Sequence, residues 1–240
     1  MFNSSSNPTL TNVTFSSNSA RDGGGGMYNN TSNPTLTNVT FSSNRAMDGG
    51  GMYNDYNNSL KLTNVTFSSN SATSSGGGMY NVSSSSTLTN VTMSGNTSAI
   101  YGGDSGSKIR NSIIIANHGQ PAITDYSGEI ESSIVDKEAE NGVYVGNFYD
   151  ESGTKIAGSY TAAELFIDPT TSDYRLRAKS PAIDKGNDSW NTTSTDIVGN
   201  PRKQGAAIDL GAYEALPYYV TYDKNGATGG TVPQDNKTYE

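Results

Sequence analysis

The 240-residue chain contains no cysteine. That excludes a disulfide framework and any thiolate metal site. It has one histidine, His118, so a metal site built on two histidines of this chain is excluded too. No run approaches the roughly 18 apolar residues of a membrane span, and no membrane insertion is expected. Charge is nearly absent from the first hundred residues, which hold three acids (Asp22, Asp48, Asp55) and three bases (Arg21, Arg45, Lys61). The net charge of −8 therefore arises in residues 101–240. No basic patch is available to neutralise phosphates, so nucleic acid is not an expected partner. Leu, Ile, Val and Phe number only 39, a share at which a chain usually stays disordered.

What is present overrides that warning. Leu10-Thr11-Asn12-Val13-Thr14-Phe15-Ser16-Ser17-Asn18 returns as Leu36 to Asn44 and as Leu62 to Asn70, each 26 residues on. A fourth copy, Leu88 to Asn96, carries Met93 for Phe and Gly95 for Ser. Gly-rich runs ending in Met-Tyr-Asn follow the first three copies. A fixed period of this length marks a solenoid or array, in which each coil buries a few inward side chains and stacks the rest on its neighbours. Helical units are excluded by content, because the copies are built from Thr, Val, Asn, Ser and Gly. Val13-Thr14-Phe15 alternates inward, outward, inward as a strand does. Leu10 and Val13 cannot both point inward along one straight strand, so a bend is expected at Asn12. The fold class that follows is all-β: a right-handed parallel β-helix with a C-terminal capping module, its coils about 4.8 Å apart.

In such a stack Asn12, Asn38, Asn64 and Asn90 form one column and Asn18, Asn44, Asn70 and Asn96 another, suited to amide ladders. A spacing of 21 carries the pattern on to Ile109–Asn117, and a rougher match at Glu129–Val135 takes the coils to about residue 136. Met1–Pro8 aligns with Met27–Pro34, so the chain is expected to start part-way round a coil and to lack coils at its N-terminus. An open first coil would expose an unpaired strand edge and favour edge-to-edge self-association. Residues 137–160 read as loop, with one strand from Gly142 to Phe148.

Candidate functional residues are few. Tyr28, Tyr53 and Tyr80 follow an inward Met and should form an outward column. Aromatic faces of this kind can stack sugars; stacking on one another is the alternative. Asp22 and Asp48 occupy matching places before the Gly turn and could adjoin on successive coils, as an acid pair or as solvated turn residues. His118 has no Ser or Cys partner motif and reads as a turn residue. The densest acids, Asp168, Asp173, Asp184, Asp188, Asp196, Asp209 and Glu214, lie near Arg175, Arg177 and Arg202. They read as turn-holding carboxylates, with Arg202 paired to Asp184 or Asp209, or else as a Ca²⁺ or acid/base centre. No catalytic or metal residue is assigned and no cofactor is expected; calcium is the one cofactor that oxygen ligands alone would suit.

The repeats resemble those of polymorphic outer-membrane-protein type and, more broadly, parallel β-helix surface proteins of bacteria. Five ordered motifs, Leu165-Phe166-Ile167-Asp168-Pro169, Asp173-Tyr174-Arg175-Leu176, Ser180 to Gly186, Asp196 to Arg202 and Ile208 to Glu214, are similar to the module of the choice-of-anchor Q family, in which a β-helix precedes a variable surface anchor. Tyr218 to Pro233 resembles the opening of an internalin-type β-grasp repeat. These resemblances imply a domain order of coils over 1–136, irregular coils and the capping module over 137–216, and the start of a spacer over 217–240. They imply a secreted or cell-surface bacterial protein, adhesin-like and non-catalytic, whose partners are extracellular glycans or surface proteins. Because β-helices also carry polysaccharide lyases and glycosidases, a lyase or hydrolase using Asp22 and Asp48 is the alternative.

Overall fold

The computed structural model describes residues 1–56, 59–115, 121–137, 139–140 and 143–216. His118 and the 217–240 segment lie outside the described residues.

The chain winds into a β-solenoid. One face is a six-stranded parallel sheet made of Phe2–Ser4, Met27–Asn30, Met52–Asp55, Met79–Val82, Ile100–Tyr101 and Ile123–Thr124. A second, longer sheet stacks Thr9–Thr11, Thr35–Ser42, Ser59–Ser68 and Ser85–Ser94 in the same order. In that sheet Leu36 pairs with Leu62 and Leu62 with Leu88, a repeat of 26. Leu88 then pairs with Ile109 and Ile109 with Ile130, a repeat of 21. The shorter coils arise where the turn between the two sheets loses residues, while the paired strands stay in register.

The bend expected at Asn12 is a left-handed residue: φ is 56° at Asn12, 55° at Asn38, 52° at Asn64 and 56° at Asn90. Asn is among the few residues with a Cβ that adopt this conformation readily. A second left-handed column runs through Ser17, Ser43, Ser69 and Gly95, so the Ser-to-Gly change in the fourth copy relieves a strained position. The bend at the asparagine turns Leu inward together with Val and Phe. Leu36, Val39, Phe41, Leu62, Val65 and Phe67 are fully buried, with Met27, Met52 and Met79 opposite them. The phenylalanines stack, Phe15 on Phe41 at 4.9 Å and Phe41 on Phe67 at 4.7 Å between centroids.

The asparagine columns are amide ladders. Asn18 donates to Asn44 Oδ1 at 2.9 Å, Asn44 to Asn70 at 2.9 Å and Asn70 to Asn96 at 3.0 Å. Asn44 Nδ2 also donates to the Phe15 carbonyl at 2.9 Å, and Asn44 Oδ1 accepts the Asn18 backbone N–H at 3.0 Å. A third ladder, Asn3–Asn29–Asn54–Asn81, lies inside the tyrosine-bearing sheet, with bonds of 2.7, 2.8 and 2.8 Å. In the Asn18 column each internal Asn also satisfies buried backbone groups of neighbouring coils. Asn44→Ala is accordingly expected to cost about 1–3 kcal/mol by leaving buried partners unpaired. Asn18→Ala, at the exposed end, should cost less; chemical denaturation of the two variants measures the difference.

Parallel pairing ends at Val135. Gly146–Tyr149 adds to Ser133–Val135 in the antiparallel sense, and Lys155–Tyr160 pairs antiparallel beyond it. The segment expected to be mainly loop therefore holds two such strands and a small Ala139–Glu140/Val143–Tyr144 hairpin. These antiparallel strands cover the end of the stack. Residues 161–216 fold back along the flank of the stack. Ala212 N–H donates to Thr92 Oγ1 at 2.9 Å, Gly211 N–H to the Asn111 carbonyl at 2.8 Å, and Asn64 Nδ2 to the Thr195 carbonyl at 2.8 Å. The reason is a change in outward residue. Ile113 and Ile115 continue the outward column held by Thr92 and Ser94 in the coil before, and they join Ile134, Leu165, Phe166, Tyr174, Leu176, Ala182 and Leu210 in a second core. Burying that apolar patch is worth more than solvating it. Among the described residues no helix is long and apolar enough to cross a membrane.

Candidate functional site

The outward side of the six-stranded sheet carries an uninterrupted aromatic ridge. Phe2, Tyr28, Tyr53, Tyr80 and Tyr101 stack at 5.4, 4.8, 5.0 and 4.8 Å between centroids, the tyrosine pairs within 10° of coplanar. The ridge exists because Met27, Met52 and Met79 point inward and parallel pairing places Tyr28 beside Tyr53 and Tyr53 beside Tyr80. Sequence reasoning found the three central tyrosines and missed both ends. Tyr101 was hidden by the shortened coil, and Phe2 lies at the register position of Tyr28.

The inner ring faces are covered by the neighbouring rings, so the ridge presents ring edges and a line of hydroxyls. Its surroundings are acidic. Tyr28 Oη donates to Asp55 Oδ2 at 3.4 Å. Burial raises the Tyr53 hydroxyl to about 12, with Asp55, the neighbouring tyrosines and Asp48 adding to the rise. Tyr28 and Tyr80 are raised for the same first reason, helped by Asp55 and Asp22 at Tyr28 and by Asp48 and Asp125 at Tyr80. Tyr28, Tyr53 and Tyr80 therefore hold their hydroxyl protons more tightly than a free phenol does.

Asp22 and Asp48 flank this ridge but are not in register with one another. The turn between Asn44 and Gly49 is one residue shorter than that between Asn18 and Gly24, so the residue level with Asp48 is Gly23. The Asp48 N–H donates to the Asp22 carbonyl at 3.0 Å, while the Asp48 carboxylate accepts the Ser75 N–H at 3.1 Å. Gly23 itself is pressed against Tyr53: a Cβ there would lie 2.7 Å from the ring.

The acids of residues 161–216 bind backbone. Asp168 caps the Thr170–Thr171 turn, Asp196 accepts the N–H groups of Val198, Asn200 and Glu214, and Asp209 accepts those of Asp184 and Ala215. Arg202 is buried, and it does not pair with the carboxylate of Asp184 or Asp209. Its Nη2 donates to the carbonyls of Asp209 and Gly211 at 2.9 and 2.6 Å, and its Nη1 lies 3.5 Å from Glu214 Oε2. Among the described residues no group of three or more His, Cys, Asp or Glu side chains is placed to hold a metal ion.

No curated protein and no solved structure matches the chain significantly. A family model described as the right-handed beta helix region matches residues 1–159. That family occurs in surface proteins and in polysaccharide-acting enzymes. With its stacked parallel strands, amide ladders and inward Leu, Val, Phe and Met columns, the chain belongs to the right-handed β-helix family.

Proposed function

We propose that this chain is a non-catalytic display scaffold of a secreted or cell-surface bacterial protein, and that its tyrosine ridge is the face that binds extracellular glycans. The observation that carries this reading is the unbroken Phe2-to-Tyr101 column. From Tyr28 to Tyr101, hydroxyls recur once per coil beside the carboxylates of Asp22, Asp48, Asp55 and Asp125. An extended sugar chain laid along the solenoid axis meets one hydroxyl at each step and receives ring-edge contacts between them. Many weak contacts in register give affinity through multivalency. The acids disfavour uronates and sulfated chains, so neutral or amino sugars suit the face. Residues 161–216, whose motifs are similar to the choice-of-anchor Q module, stiffen the last coils in this reading.

Glycan-array binding followed by titration tests the proposal. Replacing Tyr28, Tyr53 and Tyr80 with Ser should abolish binding to neutral or amino-sugar chains while the circular dichroism spectrum stays unchanged. Retained affinity in that variant would sink the ridge as the binding face. Reducing-end release or unsaturated-sugar absorbance that disappears in an Asp22→Asn/Asp48→Asn chain would replace this reading with a catalytic one.

A further inference from the structure

The chain has no cysteine, so no disulfide can join one coil to the next. Its tyrosine ridge offers another route to a covalent cross-link. Tyr28, Tyr53, Tyr80 and Tyr101 occupy four successive coils, and each is half-buried. Their centroids are 4.8, 5.0 and 4.8 Å apart and their planes lie within 10° of one another. Rings related by such a translation hold like atoms at the same spacing. Each ortho carbon therefore faces its counterpart on the next ring at about 4.8 Å, the distance between strands. The column is bounded at both ends. Tyr101 pairs with Thr124, and Phe2, beyond Tyr28, has no hydroxyl to oxidise. Tyr28 Oη donates to Asp55 Oδ2 at 3.4 Å, a carboxylate placed to take the phenol proton as an electron leaves.

We infer that this column is a site of oxidative tyrosine coupling, at which adjacent rings join through their ortho carbons and staple successive coils. The co-reactant is hydrogen peroxide, used by a peroxidase. Two neighbouring phenols each give up one electron and the hydroxyl proton, which together reduce one peroxide to two waters. The two phenoxyl radicals then form one carbon–carbon bond between ortho carbons. Each of those carbons loses its hydrogen as a proton and each phenoxyl oxygen regains one. Two tyrosines and one peroxide thus give one dityrosine and two waters. Closing the gap asks the rings to turn about χ2, a soft torsion in aromatic side chains. A bond at any step ties together strands far apart in sequence, and it restricts the unfolded chain as a disulfide would. Coupling needs only the rings and the oxidant, so it stands apart from glycan binding.

Treating the dilute chain with hydrogen peroxide and a peroxidase tests this. Dityrosine fluorescence should appear in the monomer, with a yield per chain that does not depend on protein concentration. Peptide mapping should place the bonds at Tyr28–Tyr53, Tyr53–Tyr80 or Tyr80–Tyr101, each as a pair two hydrogens lighter than its parts. The double substitution Tyr53→Phe/Tyr80→Phe keeps the stack, as Phe2 already stacks on Tyr28, and keeps all but two of the 15 tyrosines. It leaves no two tyrosines of the column on adjacent coils, so monomer dityrosine should fall roughly tenfold, because coupling needs the reacting atoms held close. The coupled monomer of the unsubstituted chain should also unfold at a higher urea concentration than the uncoupled one. Undiminished monomer dityrosine in the double variant overturns the inference. So do bonds that map only to other tyrosines or only between chains, and so does an unchanged urea midpoint.

Discussion

Phe41→Ala is expected to destabilise the solenoid by about 3–5 kcal/mol, the range for truncating a fully buried aromatic. Phe41 has no exposed surface and sits between the rings of Phe15 and Phe67. Its removal leaves a cavity that the stack cannot close, because coil spacing is set by backbone hydrogen bonds on both sides. In a repeat array each coil depends on its neighbours, so a gap in coil 2 weakens both of its interfaces. Phe15→Ala makes the same chemical change in coil 1, where the ring is only partly buried, and should cost less than half as much. Urea denaturation of the two variants measures the contrast. Equal losses would mean that the coil-1 interior is as well packed as coil 2 in solution.

Arg202→Met should loosen residues 161–216 from the flank, at a cost of about 3–5 kcal/mol, because it leaves buried partners without their cation. The carbonyls of Asp209 and Gly211 and the carboxylate of Glu214 all turn to this guanidinium. The same knot makes the contact with the solenoid, since Gly211 and Ala212 donate to Asn111 and Thr92. Trp190, the single tryptophan, is the reporter: its ring lies under Arg110 at 4.8 Å, so undocking should shift its emission to longer wavelength.

The knot also sets a pH dependence. Burial, then repulsion from Asp209, raises Glu214 to about 8; burial raises Asp209 to about 6 against the pull of the Ala215 and Asp184 N–H groups. Burial pushes Arg202 down, but a guanidinium stays charged at any accessible pH, so the rise at Glu214 is the shift that counts. A carboxylate with a raised folded pKa is favoured in its protonated form. Its contribution is complete below the unfolded value, near 4, and is lost as pH climbs through the folded one. Docking should therefore weaken from about pH 4 through 6 as Asp209 ionises and on through 8 as Glu214 follows. Glu214→Gln, which mimics the protonated acid, should flatten the upper part of the profile. An unchanged alkaline limb in that variant would remove Glu214 from the account.

The sequence by itself determined the solenoid. Period, strand content, the bend at Asn12, the inward Leu-Val-Phe set and the Asn12 and Asn18 columns all follow from residues at fixed spacing, because parallel stacking places identical residues beside one another. The tyrosine column was legible for the same reason. Tertiary structure decided what depends on register within a turn or on contacts far apart in the chain. A turn one residue shorter puts Gly23, not Asp22, level with Asp48. A coil five residues shorter brings Tyr101 onto the ridge. The inward Asn3–Asn29–Asn54–Asn81 ladder needed the fold to show that a polar residue points into the core. Arg202 found backbone carbonyls and Glu214 where opposite charge alone suggested an aspartate. The flank position of residues 161–216 follows from the replacement of outward Thr92 and Ser94 by Ile113 and Ile115, a hydrophobic stripe whose partner segment no local pattern could identify.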